Sequence, residues 1–428
     1  MMRFGWLFAL LFLARPVSAQ TQAASTLGAE VRRRVIDSLT AAIEQLYPAA
    51  DTGRMIAAHV RQRAAAGAYA RADDPHLFVR LVTQDLQATN EDTHLVLELA
   101  QPSQGGATPL PAHGVERVDR LEGNVGYLRI SSFPGGDAAF RAIEQALRVL
   151  ETTDAILLDL RNSRGGSAQL ANFLISHFTG PDTLHSLTIY DRRRNATTER
   201  YTMAQVPGPR RPTVPLYVLV DDVTRSAAED VPFVLQNLKR ATIVGTHTAG
   251  AGRNNAGVPL GDGFVASVSF TRVMEPGTGR EWERTGLTPN VLVAADSALS
   301  VAHALALDTL AARATSPARK QELAGAAATV RASLRRPPAA APPALLRLVG
   351  TYEGGQYVTV SDGQLVYQPR VAQPRVVLVP LDARTFGAGG TRYQFEESGG
   401  AMRLRITAAD GTTSVYPRVA ATVPPRRR

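Results

Sequence analysis

The spacing of apolar residues in the first part of the chain predicts helices. Over residues 25–90 apolar positions recur at steps of three and four, which keeps them on one face of a helix, as at Val31, Val35, Leu39, Ala42, Ile43 and Leu46. Two more helices are predicted over 52–66 and 74–86. We therefore interpret residues 25–92 as an N-terminal helical subdomain with no evident chemistry of its own.

From Gly123 onward, short apolar runs alternate with amphipathic segments. The runs are typical of strands buried on both faces and cover 125–130, 155–160, 216–220 and 241–245. The amphipathic segments between them predict helices over 138–150, 170–178 and 227–238. This order is the βαβ signature of a mostly parallel sheet covered by helices. The fold class predicted for residues 93–310 is α/β, with an antiparallel strand added over 263–273.

The last quarter of the chain has a different composition. A helix is predicted over 297–313, and residues 311–344 read as the helix end and a linker rich in Ala and Pro. Six short apolar runs then follow over 345–420, separated by Asp-Gly, Gly-Gly and Pro turns. Residues 345–420 are therefore expected to form a small antiparallel β-domain, either a barrel or a sandwich.

Residues 1–19 have the pattern of a secretory signal peptide. Arg3 precedes an apolar run over residues 4–14, and Val17-Ser18-Ala19 gives the small residues of a cleavage site. The run is too short to span a bilayer, and no later stretch approaches eighteen apolar residues. We expect an exported protein, periplasmic or extracellular after cleavage, with no stable membrane insertion.

Composition excludes several classes of function. The 428 residues are 44% hydrophobic, which excludes wholesale disorder, and they include no cysteine, which removes disulfides, thiolate metal sites and cysteine nucleophiles. The net charge of +9 comes from dispersed arginines rather than one basic stripe, so no nucleic-acid partner is expected. No pair of histidines has metal-ligand spacing, so neither a metal nor another cofactor is expected. Lys239 and Lys320 are the only lysines.

Two predicted strands end in loops that could carry chemistry. After the strand at 155–160, Gly165-Gly166 open a turn whose backbone N–H groups could hold an oxyanion, or the turn simply needs two glycines for its dihedral angles. After the strand at 216–220, Ser226 heads a helix, where the next N–H could serve a developing oxyanion. Ser226 with Glu229 also fits a capping box, in which the serine only caps the helix.

Two histidines lie near these loops. His247 stands in a glycine-punctuated loop after the strand at 241–245, which is typical either of a mobile substrate-facing loop or of an ordinary surface loop. His94 opens an apolar run after the helical region, and by itself it fits a base for the serine or a structural histidine.

Five motifs occur in one order and together resemble a known family. They are similar to the C-terminal processing (tail-specific) serine peptidases, and more narrowly to the branch of the tricorn core protease and the interphotoreceptor retinoid-binding protein. The likeness covers about residues 27–310. The motifs are Asp92-Thr93-His94, Asp159-Leu160-Arg161-Asn162 with Gly165-Gly166, Thr224-Arg225-Ser226-Ala227-Ala228-Glu229, Thr248-Ala249-Gly250, and Glu281-Trp282-Glu283 with Gly286-Leu287-Thr288-Pro289.

The resemblance implies a ClpP/crotonase-like core and assigns roles by position. It makes Ser226 the nucleophile and His94 the base that takes its proton. Thr93 stands where the tricorn-like branch has a serine, and Glu283, or less well Glu281, matches the glutamate of the relay. The remaining assignments are an oxyanion hole from the amide of Ala227 with that of Gly165 or Gly166, and His247 lining the substrate site.

Other members of the family use a Ser–Lys dyad, which this chain lacks. His247 occupies the place of that lysine, and Lys239, thirteen residues after Ser226 in the same predicted helix, would lie about 20 Å away along it. Only 28 residues separate His94 from Gly123, too few for the peptide-binding PDZ domain that many dyad enzymes carry.

We therefore expect an exported serine peptidase that hydrolyses peptide bonds through an acyl-enzyme on Ser226. A peptide or protein substrate is the expected partner, and a homo-oligomer is left open. Two alternatives remain at this point. One is a catalytically silent relative that binds an apolar ligand or peptide in the same cleft, and the other is an esterase using the same residues.

Overall fold

A computed structural model describes residues 27–100, 113–334, 343–361, 363–369, 375–409 and 411–419. The predicted signal peptide and part of the predicted linker lie outside these residues. The helices are α1 (Ala29–Leu46), α2 (Ala50–Ala65), α3 (Pro75–Gln87), α4 (Asp137–Val149), α5 (Ala168–His177), α6 (Ala227–Asn237), α7 (Ala295–Arg313), α8 (Pro317–Ser333) and α9 (Pro343–Leu346). None of these helices is long and apolar enough to cross a membrane.

The strands of the first three hundred residues form three sheets. They are β1 (Val96–Leu99), β2 (Val115–Leu121), β3 (Val125–Ile130), β4 (Ala155–Asp159), β5 (His185–Asp191), β6 (Ala196–Tyr201), β7 (Leu216–Val220), β8 (Thr242–Gly245), β9 (Asn255–Gly261), β10 (Phe264–Ser269), β11 (Thr271–Met274) and β12 (Val291–Leu292). The central sheet has the order β12-β8-β7-β4-β3-β2, parallel except for β2 at its edge.

Helices cover both faces of the central sheet, because its strands carry apolar side chains on both. In β4, Ile156 and Leu158 pack with α4, α5 and α6, whereas Ala155 and Leu157 pack with α7 and α8. Alternate side chains of a strand point to opposite faces, so a run with no polar position is stable only between two layers. The predicted α/β class is confirmed.

The carboxyl ends of β4, β7 and β8 lie side by side. Asp159 pairs with Leu219, and Val220 pairs with Gly245, so the loops that leave these strands emerge at one edge of the sheet. Ligand sites of open parallel sheets lie at this edge. The glycine loop, the Ser226 loop and the His247 loop therefore belong to one region of the molecule.

The N-terminal helices pack on a second, smaller sheet. This sheet has the order β1-β10-β9, and its apolar side chains, including Leu97, Phe264 and Val268, share a core with α1, α2 and α3. His94 lies just before β1. The helical subdomain thus holds the His94 loop in position.

One strand prediction was wrong in extent. The segment predicted as a single strand over 263–273 divides at Phe270 into β10, which pairs with β9, and β11, which pairs with β5 in a third sheet of order β11-β5-β6. The alternating pattern continues across the break because both strands keep one buried face. The change of partner strand at Phe270 therefore leaves no trace in the polarity pattern.

The C-terminal region closes into a barrel. Its strands are β13 (Gly350–Tyr352), β14 (Gln356–Ser361), β15 (Gln364–Pro369), β16 (Val376–Pro380), β17 (Thr385–Ala388), β18 (Thr391–Ser398), β19 (Ala401–Thr407) and β20 (Thr413–Val419), with β13 pairing to β20. Phe386, Phe395 and Leu404 fill its interior. The predicted antiparallel β-domain is therefore confirmed as a barrel.

Candidate active site

Ser226 adopts a backbone conformation that residues with side chains rarely take. Its φ of 56° and ψ of −130° lie outside the helix that begins at Ala227. Glu229 secures this residue as the predicted capping box requires, because its Oε2 accepts the Ser226 N–H at 2.9 Å. A strained serine between a strand and a helix exposes its hydroxyl, which is the arrangement of a nucleophile elbow.

Glu229 joins the Ser226 turn to the loop after β8. Its carboxylate is fully buried and accepts four hydrogen bonds, from the N–H groups of Ser226, Gly250 and Ala251 and from the hydroxyl of Thr248 at 2.5 Å. Burial raises the pKa of Glu229, although these hydrogen bonds act in the opposite direction. Only a capping role was predicted for Glu229 from the sequence, and its longer-range contacts were missed.

Gly165 and Gly166 lie against the nucleophile turn. A methyl group on Gly165 would meet the nitrogen of Ala227 at 2.8 Å and the Cβ of Ser226 at 2.9 Å, and one on Gly166 would meet the carbonyl oxygen of Phe133 at 2.1 Å. Both glycines have positive φ, 81° and 139°. The positions thus require glycine both for the turn and for the close approach.

Three backbone N–H groups beside Ser226 remain available. Within the described ranges, no residue accepts a hydrogen bond from the amide of Gly165, Gly166 or Ala227. Ala227 is the first residue of α6, so its N–H is one of those a helix leaves unpaired, at the positive end of the helix dipole. This cluster of donors can stabilise an oxyanion.

Asp221 holds the two loops together. Its carboxylate accepts the N–H of Asn162 at 3.0 Å and that of Thr224 at 2.9 Å, and the N–H of Arg225 donates to the carbonyl oxygen of Ser163 at 3.0 Å. A side chain from the end of β7 therefore fixes the loop after β4. This role of Asp221 was not predicted from the sequence.

His94 lies in a buried cluster with two carboxylates. Ligand atoms of Asp92, His94 and Glu283 all lie within 4.8 Å of one another. The Nδ1 of His94 is 3.6 Å from the Oδ1 of Asp92, too far for a hydrogen bond, and no described residue pairs with it. Glu283 accepts the N–H of Gly252 on Oε2 at 2.8 Å, and its Oε1 has no hydrogen-bond partner among the described residues.

Asp92 is held by donors from four parts of the chain. It accepts hydrogen bonds from the hydroxyls of Tyr47 at 3.0 Å and Ser269 at 2.8 Å, from Nη1 of Arg253 at 3.1 Å, and from the His94 N–H at 2.9 Å. Burial acts to raise the pKa of Asp92, but its interactions with His94 and Arg253 hold that pKa well below its usual range. Asp92 is therefore ionised at neutral pH.

The cluster could in principle ligate a metal ion. Two carboxylates and an imidazole are suitable donors. The guanidinium of Arg253 already brings a positive charge to both carboxylates, 3.1 Å from Asp92 and 4.0 Å from Glu283. A fixed cation beside the same oxygens opposes the entry of a second one.

Glu283 has a strongly perturbed carboxyl group. Burial and the negative charge of Asp92 raise its pKa to about 7, against the lowering effect of Arg253 and His94. A carboxyl group with such a pKa beside a histidine is typical of catalytic sites.

Glutamine at position 283 is expected to remove a pH dependence of stability. Because the folded-state pKa is about 7 and the ordinary value is 4.5, the unfolded chain releases this proton at lower pH than the folded one. The free energy of unfolding of the wild type therefore falls as pH rises through this window, by on the order of 3 kcal/mol. Glu283→Gln should lack this fall, and denaturant titrations at about pH 4.5, 6 and 7.5 measure it.

Glu281→Gln is the matched control for that experiment. Glu281 pairs with Arg272 at 2.6 Å and does not belong to the cluster of Asp92, His94 and Glu283. We expect this variant to follow the wild type across the same pH range. Parallel curves for wild type and Glu283→Gln would show that the carboxyl at 283 ionises normally.

The other two predicted site residues, Thr93 and His247, lie in different surroundings. Thr93 is exposed, and its Oγ1 accepts a hydrogen bond from Nη2 of Arg225 at 3.1 Å, which links the His94 loop to the residue before Ser226. In the described part of the chain no hydrogen bond joins Ser226 directly to His94. His247 is exposed and is not among the residues that line the cleft at Ser226.

Lys239 lies outside the predicted helix. α6 ends at Asn237, and Lys239 has a φ of 54° in the turn before β8. It is therefore at the amino end of β8, whereas Ser226 follows the carboxyl end of the parallel neighbour β7. The helix predicted over 227–238 thus ends one residue earlier than expected, and Ser226 and Lys239 lie at opposite ends of these parallel strands.

A narrow cleft opens beside Ser226. Its walls come from the glycine loop, α6, the loop after β8 and the β5–β6–β11 sheet, and they include Gly166, Ala227, Arg200, Asp230, Arg253 and Trp282. The cleft thus contains the serine and two of the free amides. Arg253 connects it to the Asp92 cluster.

Comparisons with known proteins agree with the motifs. Residues 124–293 match the model of peptidase family S41. The carboxyl-terminal-processing protease of Synechocystis is 33% identical over 172 residues, and the carboxy-terminal processing protease CtpB of Bacillus subtilis is 27% identical over 172 residues. Each alignment covers 40% of this chain, with 38% and 34% of the respective relative, so the chain spans less than half the length of these relatives.

A solved structure of the tricorn protease is similar to this protein, with a TM-score of 0.43 and 12% sequence identity. The alignment covers 63% of this chain and 35% of the tricorn chain. The resemblance to the C-terminal processing family, first stated from the motifs, is confirmed by the family match and the curated relatives.

Proposed function

We propose that this chain, whose residues 124–293 match the model of peptidase family S41, is a serine peptidase acting through an acyl-enzyme on Ser226. One observation carries the proposal. Ser226 occupies a strained turn at the amino end of α6, and the amides of Gly165, Gly166 and Ala227 beside it are unpaired within the described ranges. A surface serine that only caps a helix would need neither the strain nor the free amides.

The reaction would begin with attack of the Ser226 Oγ on the carbonyl carbon of a peptide bond. His94 accepts the hydroxyl proton as the C–O bond forms, and the carbonyl oxygen becomes an oxyanion held by the free amides. When the intermediate collapses, the C–N bond breaks and His94 returns the proton to the leaving amine. Water then attacks the ester of the acyl-enzyme, with His94 again accepting the proton. The C–O bond to Ser226 breaks, the acid product leaves, and the Ser226 hydroxyl is restored.

Two neighbours would support His94 in this scheme. Glu283 is the carboxylate that fixes the imidazole tautomer, since its Oε1 is unpaired and its carboxyl group lies in the same buried cluster. Thr93 is proposed as the second hydroxyl, joined to the serine loop through Arg225. The hydrogen bond from Ser226 to His94 would form in the substrate complex, because catalytic hydrogen bonds of free enzymes are often long.

The site of action is proposed to lie outside the cytoplasm. This rests on the signal-peptide pattern of residues 1–19, which are outside the described residues. Peptides or proteins are the proposed substrates, and an extended peptide could add as a strand near residues 246–252. His247, exposed in that loop, would then contact it.

The test uses the chain from residue 20 onward. The folded protein is incubated with a mixed peptide library and, separately, with a fluorophosphonate that reacts with activated serines, and both samples are read by mass spectrometry. Cleaved peptides and a single adduct on Ser226 are expected. A folded protein that gives neither result, and that retains an apolar ligand on purification, would be a binding protein, and cleavage of small esters without peptides would make it an esterase.

A further inference from the structure

The wall of the cleft contains an arginine that the proposed reaction does not use. Arg200 on β6 donates from Nη1 to Oδ2 of Asp230 at 2.8 Å, and the two side chains are only 16% and 9% exposed. Asp230 lies four residues after Ser226, so both fall on the same side of the first turns of α6. The ion pair therefore fixes the guanidinium within the cleft that contains Ser226.

The other edge of this guanidinium has no partner. Nε and Nη2 of Arg200 are buried, and no described residue accepts a hydrogen bond from either nitrogen. These two N–H groups lie parallel on one edge of the planar fork, at the spacing of the two oxygens of a carboxylate. Burying such donors unpaired is costly, so the arrangement is best explained by an acceptor that arrives with the substrate.

The other unpaired buried polar atoms of the cleft are also hydrogen-bond donors. Nε1 of Trp282 and Nε of Arg253 are also buried without a hydrogen-bond partner among the described residues. Every unpaired buried side-chain atom on the residues lining the cleft is therefore an N–H donor. A ligand that matches this cleft must therefore supply hydrogen-bond acceptors for these N–H groups.

We infer that the cleft is a subsite for a carboxylate of the substrate, which binds the Nε and Nη2 edge of Arg200. The inference rests on the proposed peptidase function and names its substrate class. The carboxylate is either the side chain of an acidic residue beside the cleaved bond or a free C-terminus. Arg200 is thus a specificity-determining residue, and Asp230 holds it in place.

Matched peptides test this inference directly. From a sequence found in the library digest, peptides are made with Glu or Gln on either side of the cleaved bond, and with a free or an amidated C-terminus. The wild type should prefer one carboxylate form over its neutral counterpart by about 10- to 100-fold in kcat/KM, the effect of a charge-assisted bidentate contact. A preference within the Glu and Gln pair would identify the carboxylate as an acidic side chain. A preference within the free and amidated pair would identify it as the C-terminus.

Arg200→Met should reduce that preference to about onefold, measured as the ratio of kcat/KM for the two matched peptides within the same variant. Arg200→Lys should keep only part of it, because lysine supplies a point charge without the fork. Arg272→Met is the control, since Arg272 lies in the same sheet but pairs with the exposed side of Glu281. A wild type without preference, or an Arg200→Met variant that retains it, would overturn the inference.

The two proposals can fail separately. A wild type that still forms the Ser226 adduct and cleaves neutral peptides, but ignores the carboxylate, contradicts the subsite alone, whereas loss of labelling contradicts the peptidase. If Arg200→Met fails to fold, Arg200→Gln serves instead, because its amide can still donate to Asp230 but carries no charge and lacks the parallel N–H edge. The preference should again fall to about onefold, and a preference that persists would count against the subsite.

Discussion

Ser226→Ala is expected to lower kcat/KM for peptide cleavage by about 10⁴-fold or more while the fold is retained. The variant removes the atom that forms the acyl-enzyme, whereas Glu229 still binds the backbone N–H of residue 226. His94→Ala should cause a loss of similar size, because an unactivated hydroxyl is a poor nucleophile at neutral pH. The double variant should be little worse than either single one, since the two residues act as a unit.

Ser163→Ala is the matched control for this prediction. Ser163 is a fully buried serine in the adjacent loop, and its Oγ has no hydrogen-bond partner among the described residues. Its replacement should leave cleavage almost unchanged. Cleavage that survives His94→Ala but not Ser226→Ala would mean that His94 is not the base, and His247 would be tested next.

Asp92→Ala is expected to destabilise the protein by roughly 3–5 kcal/mol, the cost of breaking a buried ion pair from one side. The substitution leaves the guanidinium of Arg253 and the hydroxyls of Tyr47 and Ser269 without their shared acceptor in the interior. It also removes the charge beside Nδ1 of His94. Equilibrium unfolding in denaturant at pH 7 measures the loss.

The pH dependence gives this prediction a second test. The pKa of Asp92 is held below its unfolded value, so its contribution is present above about pH 4 and is lost as pH falls further. The wild type and Asp92→Ala should therefore converge in acid. Asp262→Ala, which removes a surface partner of Arg34, should change stability far less. A loss for Asp92→Ala no larger than this control would contradict the assigned network.

The periodicity of the sequence was sufficient to predict the fully buried strands and the helix that follows Ser226. β4 and β7 are strands whose every residue is buried, and α6 begins beside the serine that the pattern placed at its head. Among the strands that were not predicted, β2 and β6 lie at sheet edges and carry exposed charges. Their residues do not alternate by polarity, because at an edge backbone pairing rather than burial of one face holds the strand.

The sequence by itself determined the α/β class, the serine at a helix start and the paired glycines, because each depends on local periodicity or on turn chemistry. His94 was singled out only by the resemblance to the family. Only the tertiary structure decided which side chains surround them. Arg253, Ser269, Tyr47 and Arg200 reach the site from separate elements, and no spacing along the chain relates them. The partners of a buried charge are the groups that lie near it in space, whatever their positions along the chain. The Asp92 cluster and the donor-lined cleft can therefore be identified only from the tertiary structure.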